Sequence, residues 1–278
     1  MSPRLGVVGW PVDHSRSPAM FAAALAARGL QDWSYQRLPL PPELFEQTVR
    51  ALADSGFLGV NVTIPHKRAA LELADSAGEA ARAIGAANTL TFGPDGTIAA
   101  ENTDAPGLIA ALERVIEMPA RPLSAPTSAL VLGAGGSARA AVWALLDAGV
   151  AQVSVWNRTP ERAHALASEM GARAVREPVA AELLVNCTSV GLQRSATDVE
   201  ALNQLGMSAD HVGRYAYVID LVYRDGPTPL LAAARAHGLA TVDGLEVLVE
   251  QGARSFELWT GQPAPLAQMR RAAGIEPG

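Results

Sequence analysis

Lys67 closes the run Asn61-Val62-Thr63-Ile64-Pro65-His66-Lys67, which sets an ammonium behind a short apolar stretch and a proline. Val62, Thr63 and Ile64 favour extended backbone, and Pro65 biases Ile64 away from helix. Beyond Lys67, the spacing of Ala69, Leu73 and Ala77 predicts a helix through KRAALELADSAGEAARAI. A lysine at such a strand-to-helix handover can stabilise a developing oxyanion and give it a proton. A lone lysine there is more often a solvated residue opening a surface helix, so other residues must decide. Ser15 and Ser17, in Asp13-His14-Ser15-Arg16-Ser17-Pro18, offer two hydroxyls before a helix, as ligand donors or as caps. Gly85 to Thr89 and Glu101 to Asp104 end in polar clusters that, taken singly, are turn chemistry.

A second constellation is Gly133-Ala134-Gly135-Gly136-Ser137-Ala138, a G-x-G-x-x-A string after the strand-like ALVL and before an alanine-rich helix. Gly133 permits the tight turn, Gly135 lets a pyrophosphate reach the backbone, and Ala138 allows close helix–strand packing. The helix start adds N–H donors and a positive dipole end. The string fits a dinucleotide site, with S-adenosylmethionine as the competing ligand. The next strand ends in Asn157-Arg158-Thr159, with Arg162 one helical turn on. An NAD site places an acidic residue near that strand end. Two guanidiniums suit the extra phosphate of NADP instead. Cations at a helix start oppose its dipole, which argues for a bound anion over a solvated basic turn. NADP is the preferred cofactor.

The positioning elements follow from the pattern of the whole chain. Its 278 residues suit one large or two medium domains, and 49% hydrophobic content supports substantial cores. A net charge of −6 disfavours nucleic-acid and anionic-membrane binders. The apolar run Leu5–Trp10 is too short for a secretory core, and 129–156 is broken by Arg139, Asp147 and Gln152, so no membrane span is expected. One cysteine, Cys187, excludes an internal disulfide and fits a cytoplasmic protein; no cluster has metal-ligand spacing. Strand-like runs alternate with helical stretches, as parallel sheets covered by helices require. NTLTF and TIAAENT form an expected hairpin about Gly93–Gly96, and the proline-rich 119–128 an expected linker. The helix LEVLVEQGARSFELWTG is expected to return to the first domain.

In order along the chain, GWPVDHSRSP, NVTIPHK, GAANTL, ENTD, GAGGSARA, NRT, NCTSVGL, DLVY with TPLL, and GLEVLVEQGARSFELWTG resemble the motifs of shikimate dehydrogenases. NVTIPHK with a downstream NTD is the specific part; Ala100 stands where many members have glycine, and 194–214 matches no motif. The resemblance implies an α/β protein: an N-terminal substrate domain with a mostly parallel sheet, residues 1–104 and 245–278, and a Rossmann-type NADP-binding domain, 105–244. It implies NADPH-dependent reduction of 3-dehydroshikimate to shikimate, in chorismate and aromatic amino-acid biosynthesis. By matched position, Lys67 and Asp104 are the catalytic pair, and Ser15 and Ser17 hold the substrate carboxylate. Thr63, Asn88 and Gln251 match substrate-binding groups that hold ring hydroxyls or carboxylate, and Tyr223 joins the substrate-binding set close to them. The cofactor positions are Gly133, Ala134, Gly135, Gly136, Ser137, Ala138, Asn157, Arg158, Thr159, Arg162, Leu221 and Gly244. The partner is a small molecule, and the assembly a monomer or homodimer. His14, His66 and Cys187 are read as structural neighbours of the motifs, not as chemistry.

Three alternatives remain at this stage. A broad-specificity or NAD-using quinate/shikimate dehydrogenase shares the motifs, though Arg158 argues against NAD. A non-catalytic metabolite sensor on the same fold does not need both Lys67 and Asp104. A methyltransferase has no use for a basic NRT segment.

Overall fold

A computed structural model describes residues 2–116, 125–192 and 197–275. The chain opens with β1 (Arg4–Gly9), α1 (Ser17–Ala27), β2 (Ser34–Pro39), α2 (Phe45–Asp54) and β3 (Phe57–Val62). There follow α3 (Lys67–Leu73), β4 (Ser76–Ala77), α4 (Glu79–Ile84), β5 (Thr89–Phe92), β6 (Ile98–Glu101) and α5 (Asp104–Ile116). The next stretch holds β7 (Ser128–Leu132), α6 (Gly136–Asp147), β8 (Gln152–Trp156), α7 (Pro160–Met170), β9 (Arg173–Ala174) and β10 (Leu183–Asn186). Last come α8 (Asp198–Gln204), α9 (Ala209–Val212), β11 (Tyr217–Asp220), α10 (Pro229–Ala236), β12 (Ala240–Asp243), α11 (Gly244–Thr260) and α12 (Leu266–Ala273). Two compact units result: Met1–Gly107 with Leu248–Gly278, and Leu108–Val247. Both divisions fall inside a helix, α5 and α11, a few residues beyond the boundaries expected from the sequence.

The first unit is built on a sheet of order β2-β1-β3-β5-β6-β4. β1 runs parallel to β2 and β3, and β4 parallel to β6, while the β3–β5 and β5–β6 pairs are antiparallel. Apolar residues cover both faces. Val60, Val62, Leu90 and Ile98 pack with Phe45, Val49 and Ala70 on one side. Leu5 packs with Met20, Phe21, Val249, Phe256 and Met269 on the other. Burial on two faces explains why the run Leu5–Val8 does not alternate with polar residues. The helix α11, from the end of the chain, thus supplies a core face to the first strand.

The single helix expected from Lys67 to Ile84 is instead two, α3 and α4, with β4 between them. Ser76 and Ala77 pair with Ala99 and Ala100. The Asp75 carboxylate accepts the Ile98 N–H at 2.8 Å, and the Asp75 N–H donates to Ile98 O at 2.8 Å. Aspartate offers the backbone such an alternative to helix, and Gly78 restarts the chain in extended geometry (φ −64°, ψ 161°). Alanine periodicity alone could not register that competition. The expected hairpin forms between β5 and β6, with the Gly93 N–H donating to Thr97 O at 2.8 Å.

The second unit has an all-parallel sheet, β12-β11-β10-β7-β8-β9. Leu130, Leu132, Leu184 and Val218 are fully buried within it. The order runs outward in both directions from the β7–β10 pair, which is the dinucleotide-fold switch point. Of the expected linker 119–128, residues 119–124 lie outside the described residues, as do 194–196 of the unmatched region; the rest of that region carries α8 and α9.

Candidate active site

Lys67 is the first residue of α3, and Asp104 the first of α5. The Lys67 Nζ donates to Asp104 Oδ2 at 2.6 Å, with only 10% and 18% of the two side chains exposed. Local sequence explains both placements. After β3, the His66 N–H closes a turn onto Thr63 O at 3.0 Å, so the chain bends at Ile64-Pro65 and the helix starts at once. Before α5, the Asn102 side chain accepts the Ala105 N–H at 3.2 Å and donates to Ala86 O at 2.9 Å. Asp104 then stands in a first helical turn, where a carboxylate is favoured by the dipole.

Asn88 joins this pair to the rest of the site. Its Oδ1 accepts the Thr103 N–H at 2.7 Å, which fixes the amide's orientation. Its Nδ2 therefore faces Asp104 Oδ1 at 2.9 Å and Gln251 Oε1 at 3.1 Å. Gln251 is itself oriented by its Nε2, which donates to Leu248 O at 3.0 Å. Lys67, Asp104, Asn88 and Gln251 thus come together from α3, α5, the start of β5 and α11.

Behind them lies a polar layer of Asn61, Thr89, Thr103 and Ser255, which sit inside the quoted motifs, although no role was read for them there. Ser255 Oγ is 3.0 Å from Thr89 Oγ1 and 3.2 Å from Thr103 Oγ1, and it receives a 2.8 Å bond from Asn61 Nδ2. The Tyr35 hydroxyl donates to Asn61 Oδ1 at 2.8 Å. Each of these buried groups must find a partner, and they find one another. One signal was legible: Ser255 lies four residues after Gln251, hence on the same helix face.

Ser15 and Ser17 are both buried, and α1 begins at Ser17. Arg16 holds the N-cap position without a side-chain cap, so the serines do not cap the helix in the usual way; Ser15 Oγ accepts the Ser17 N–H at 3.3 Å. Thr63 lies half-buried past the end of β3, its N–H donating to Val8 O at 2.9 Å. His66 is buried, stacked on Phe45 (centroids 4.5 Å apart, 11° between planes), and its Nε2 donates to Leu40 O at 2.7 Å. Burial pushes its pKa below the usual histidine value, while the bond to Leu40 pulls the other way. It serves as a wall of the α3 start.

In the second unit, Gly133 to Ala138 form the turn from β7 into α6. Gly133 adopts φ 113°, closed to ordinary side chains, and its N–H donates to Trp156 O at 2.8 Å. A side chain there would also press on the Cys187 backbone at 3.3 Å, across the switch point. In front of Gly135 there is open space, which a pyrophosphate needs. Asn157 to Thr159 follow β8, with Asn157 Nδ2 donating to Thr159 O at 2.9 Å. Arg158 and Arg162 are exposed at the start of α7. Leu221 follows β11, its N–H donating to Asn186 O at 3.0 Å, Tyr223 is half-buried two residues on, and Gly244 opens α11. Among the described residues no acidic and histidine or cysteine cluster could hold a metal.

Known families match these two units. The model for the shikimate dehydrogenase substrate binding domain matches residues 7–90, that for shikimate/quinate 5-dehydrogenase residues 120–191, and that for the shikimate 5'-dehydrogenase C-terminal domain residues 244–273. The NADP(+) shikimate dehydrogenase of Methylobacterium radiotolerans is 48% identical, over 95% of this chain and 93% of its own. The chain belongs to the shikimate dehydrogenase family. That of Paracoccus denitrificans is 41% identical, over 98% and 95% of the two chains. A crystal structure of the Thermus thermophilus family member, in complex with NADP(H) and shikimate, superposes with a TM-score of 0.84. It is 41% identical and covers 98% of each chain. Among the described residues of the present protein, no helix is long and apolar enough to cross a membrane.

Proposed function

We propose that the protein is an NADP-dependent shikimate dehydrogenase that reduces 3-dehydroshikimate to shikimate reversibly, a step towards chorismate and the aromatic amino acids. The observation that carries this reading is the 2.6 Å Lys67–Asp104 pair, held in register with Asn88 and Gln251.

NADPH, when bound, supplies the hydride. Gly133 to Ala138 fit its pyrophosphate by their open face and helix start, and Arg158 and Arg162 fit its 2′-phosphate, with Asn157, Thr159, Leu221 and Gly244 flanking. The chain's own residues do the remainder. Lys67 stabilises the negative charge that develops on the substrate's carbonyl oxygen and gives it a proton. Asp104 holds the ammonium in place through Oδ2 and accepts a hydrogen bond from a ring hydroxyl. Asn88, Gln251, Thr63 and Tyr223 fix the ring by its polar groups. Ser15 and Ser17 donate to the carboxylate, which sets which carbon faces the reaction. In the reverse direction Lys67 takes the proton back.

The protein works in the cytoplasm, as a monomer or homodimer; the single cysteine, Cys187, suits a reducing compartment. The decisive assay follows NADPH oxidation with 3-dehydroshikimate, beside NADH and beside 3-dehydroquinate. Turnover confined to NADPH and 3-dehydroshikimate is expected. Equal use of 3-dehydroquinate and NADH would move the protein to the quinate/shikimate class.

A further inference from the structure

The two serines assigned to the substrate carboxylate are neutral, and a carboxylate left without a counter-charge in a half-buried site is costly. Arg37, on β2, is the cation that the fold places behind them. Its Nη2 and Nε donate to the Ser15 carbonyl at 2.7 and 3.1 Å, a forked grip on the loop that carries both hydroxyls. That fork goes to a neutral acceptor. Among the described residues no carboxylate pairs with the Arg37 guanidinium, so its charge is not cancelled beside the serine loop. Arg16, inside the same loop, is committed differently: its Nη1 donates to Ala273 O at 2.8 Å, at the C-terminus of α12, where a cation complements the dipole. The parallel pairing of β2 with β1 sets Arg37 opposite Val7, two residues before β1 ends, which fixes its reach.

We infer that Arg37 is a positioning residue for substrate recognition, which locks the Ser15 carbonyl and lends positive charge to the carboxylate the serines bind. The inference rests on the reading of Ser15 and Ser17 as carboxylate donors. A guanidinium suits this place because it is planar, always charged and able to grip one oxygen with two N–H groups. Being exposed on β2, its charge is felt through salt-screened solvent.

The test compares the wild type with Arg37→Met, which keeps the stem, and Arg37→Lys, which keeps the charge. Arg37→Met removes the charged hydrogen bonds to the Ser15 carbonyl together with the nearby charge, and is expected to raise the shikimate KM about tenfold, with kcat within about twofold and the NADP KM unchanged. Arg37→Lys recovers part of that loss. Raising the salt concentration raises the shikimate KM of the wild type more than that of Arg37→Met. With shikimate methyl ester, which has no charge to recognise, the loss of kcat/KM in Arg37→Met is smaller than with the acid. A shikimate KM unchanged in Arg37→Met, or an equal loss on the acid and its ester, overturns the inference. Ser15→Ala and Ser17→Ala, run alongside, test the underlying reading separately, since a wild-type KM in both removes the carboxylate site itself.

Discussion

Asn88 and Gln251 stand 163 residues apart in the chain, yet their side-chain amides meet at 3.1 Å. The contact exists because α11 returns to the first unit and lies backbone-close to α5. At Gly107, the fourth residue of α5, a side chain would stand 2.8 Å from the Gln251 N and Cβ atoms. The absence of that side chain sets how near Gln251 comes to Asn88, and through Asn88 to Asp104.

Gly107→Ala is therefore expected to damage the site more than its helix-favouring side chain helps. Alanine is better than glycine in a helix interior by about 1 kcal/mol, but overpacking a tight contact costs about 1–3 kcal/mol. The atoms it meets, Gln251 N, Cα and Cβ, belong to the backbone or are fixed directly to it and cannot swing aside, so the melting temperature should fall. Displacement of Gln251 should raise the KM for shikimate as well. Thermal unfolding with steady-state kinetics decides it, and a higher melting temperature with wild-type KM would show that α11 has room to spare.

Lys67→Ala should lower kcat by about 100- to 10,000-fold, the range lost with a positioned proton donor. Substrate KM should move much less, because the lost interaction forms mainly in the transition state. Asp104→Asn should lower kcat by a smaller factor, since Lys67 keeps a hydrogen-bond partner but loses the anion that fixes it. Half the wild-type kcat surviving in Lys67→Ala removes this lysine from the mechanism.

How much of this was written in the sequence differs by feature. The glycine string, the strand before it and the helix after it share one local stretch, so its place at the β7–α6 turn was legible from spacing alone. Lys67 and Asp104 were legible as a pair only through the motif resemblance, because no local rule brings residues 67 and 104 together. The break between α3 and α4 was hidden, since Asp75 and Gly78 oppose a helix through a pairing with β6 that lies more than twenty residues downstream. The polar layer of Asn61, Thr89, Thr103 and Ser255 was hidden for the same reason: its four members come from three sheet or loop positions and one returning helix. Arg37 carried no motif at all, and only its hydrogen bonds to Ser15 mark it.

Stability should vary with pH through two buried groups of opposite sign. Asp220, at the end of β11, is fully buried and accepts bonds from Asn186, Val222 and Thr228. Burial pushes its carboxyl up to about 7, and nearby Asp243 adds to the rise, while the three donors oppose it. A folded-state value above the unfolded one means stability that is fully present below the ordinary carboxylate range and is lost as pH rises through about 7. His66 works the other way: with its pKa lowered by burial, stability is present above the ordinary histidine value and is lost as pH falls below it. Asp220→Asn cannot titrate, yet its amide oxygen can still accept from Asn186 and Val222, while its Nδ2 can donate to the Thr228 hydroxyl oxygen, reversing the native bond. Urea midpoints measured from pH 5 to 8 should therefore lose their decline towards alkaline pH in this variant and keep the acid-side decline. Parallel wild-type and variant curves would mean that Asp220 stays ionised throughout.

We propose that cofactor choice rests on Arg158 and Arg162, exposed at the start of α7 where an acidic residue would mark NAD. The 2′-phosphate gives the two guanidiniums an anion to pair with, whereas NAD presents only a neutral hydroxyl. That phosphate is remote from the reacting carbon, so its binding is nearly uniform across the reaction, and uniform binding changes KM while leaving kcat almost alone. Arg158→Ala should raise the NADP KM about tenfold or more, from roughly 1.5–3 kcal/mol per hydrogen bond to a charged group, with NAD kinetics barely altered. Both arginines are exposed, so high salt should erode the preference as well. Initial rates with each cofactor, at low and high ionic strength, measure all of this. A wild-type enzyme with similar kcat/KM for NAD and NADP would take the 2′-phosphate role away from this pair and leave the arginines as solvated residues of the α7 start.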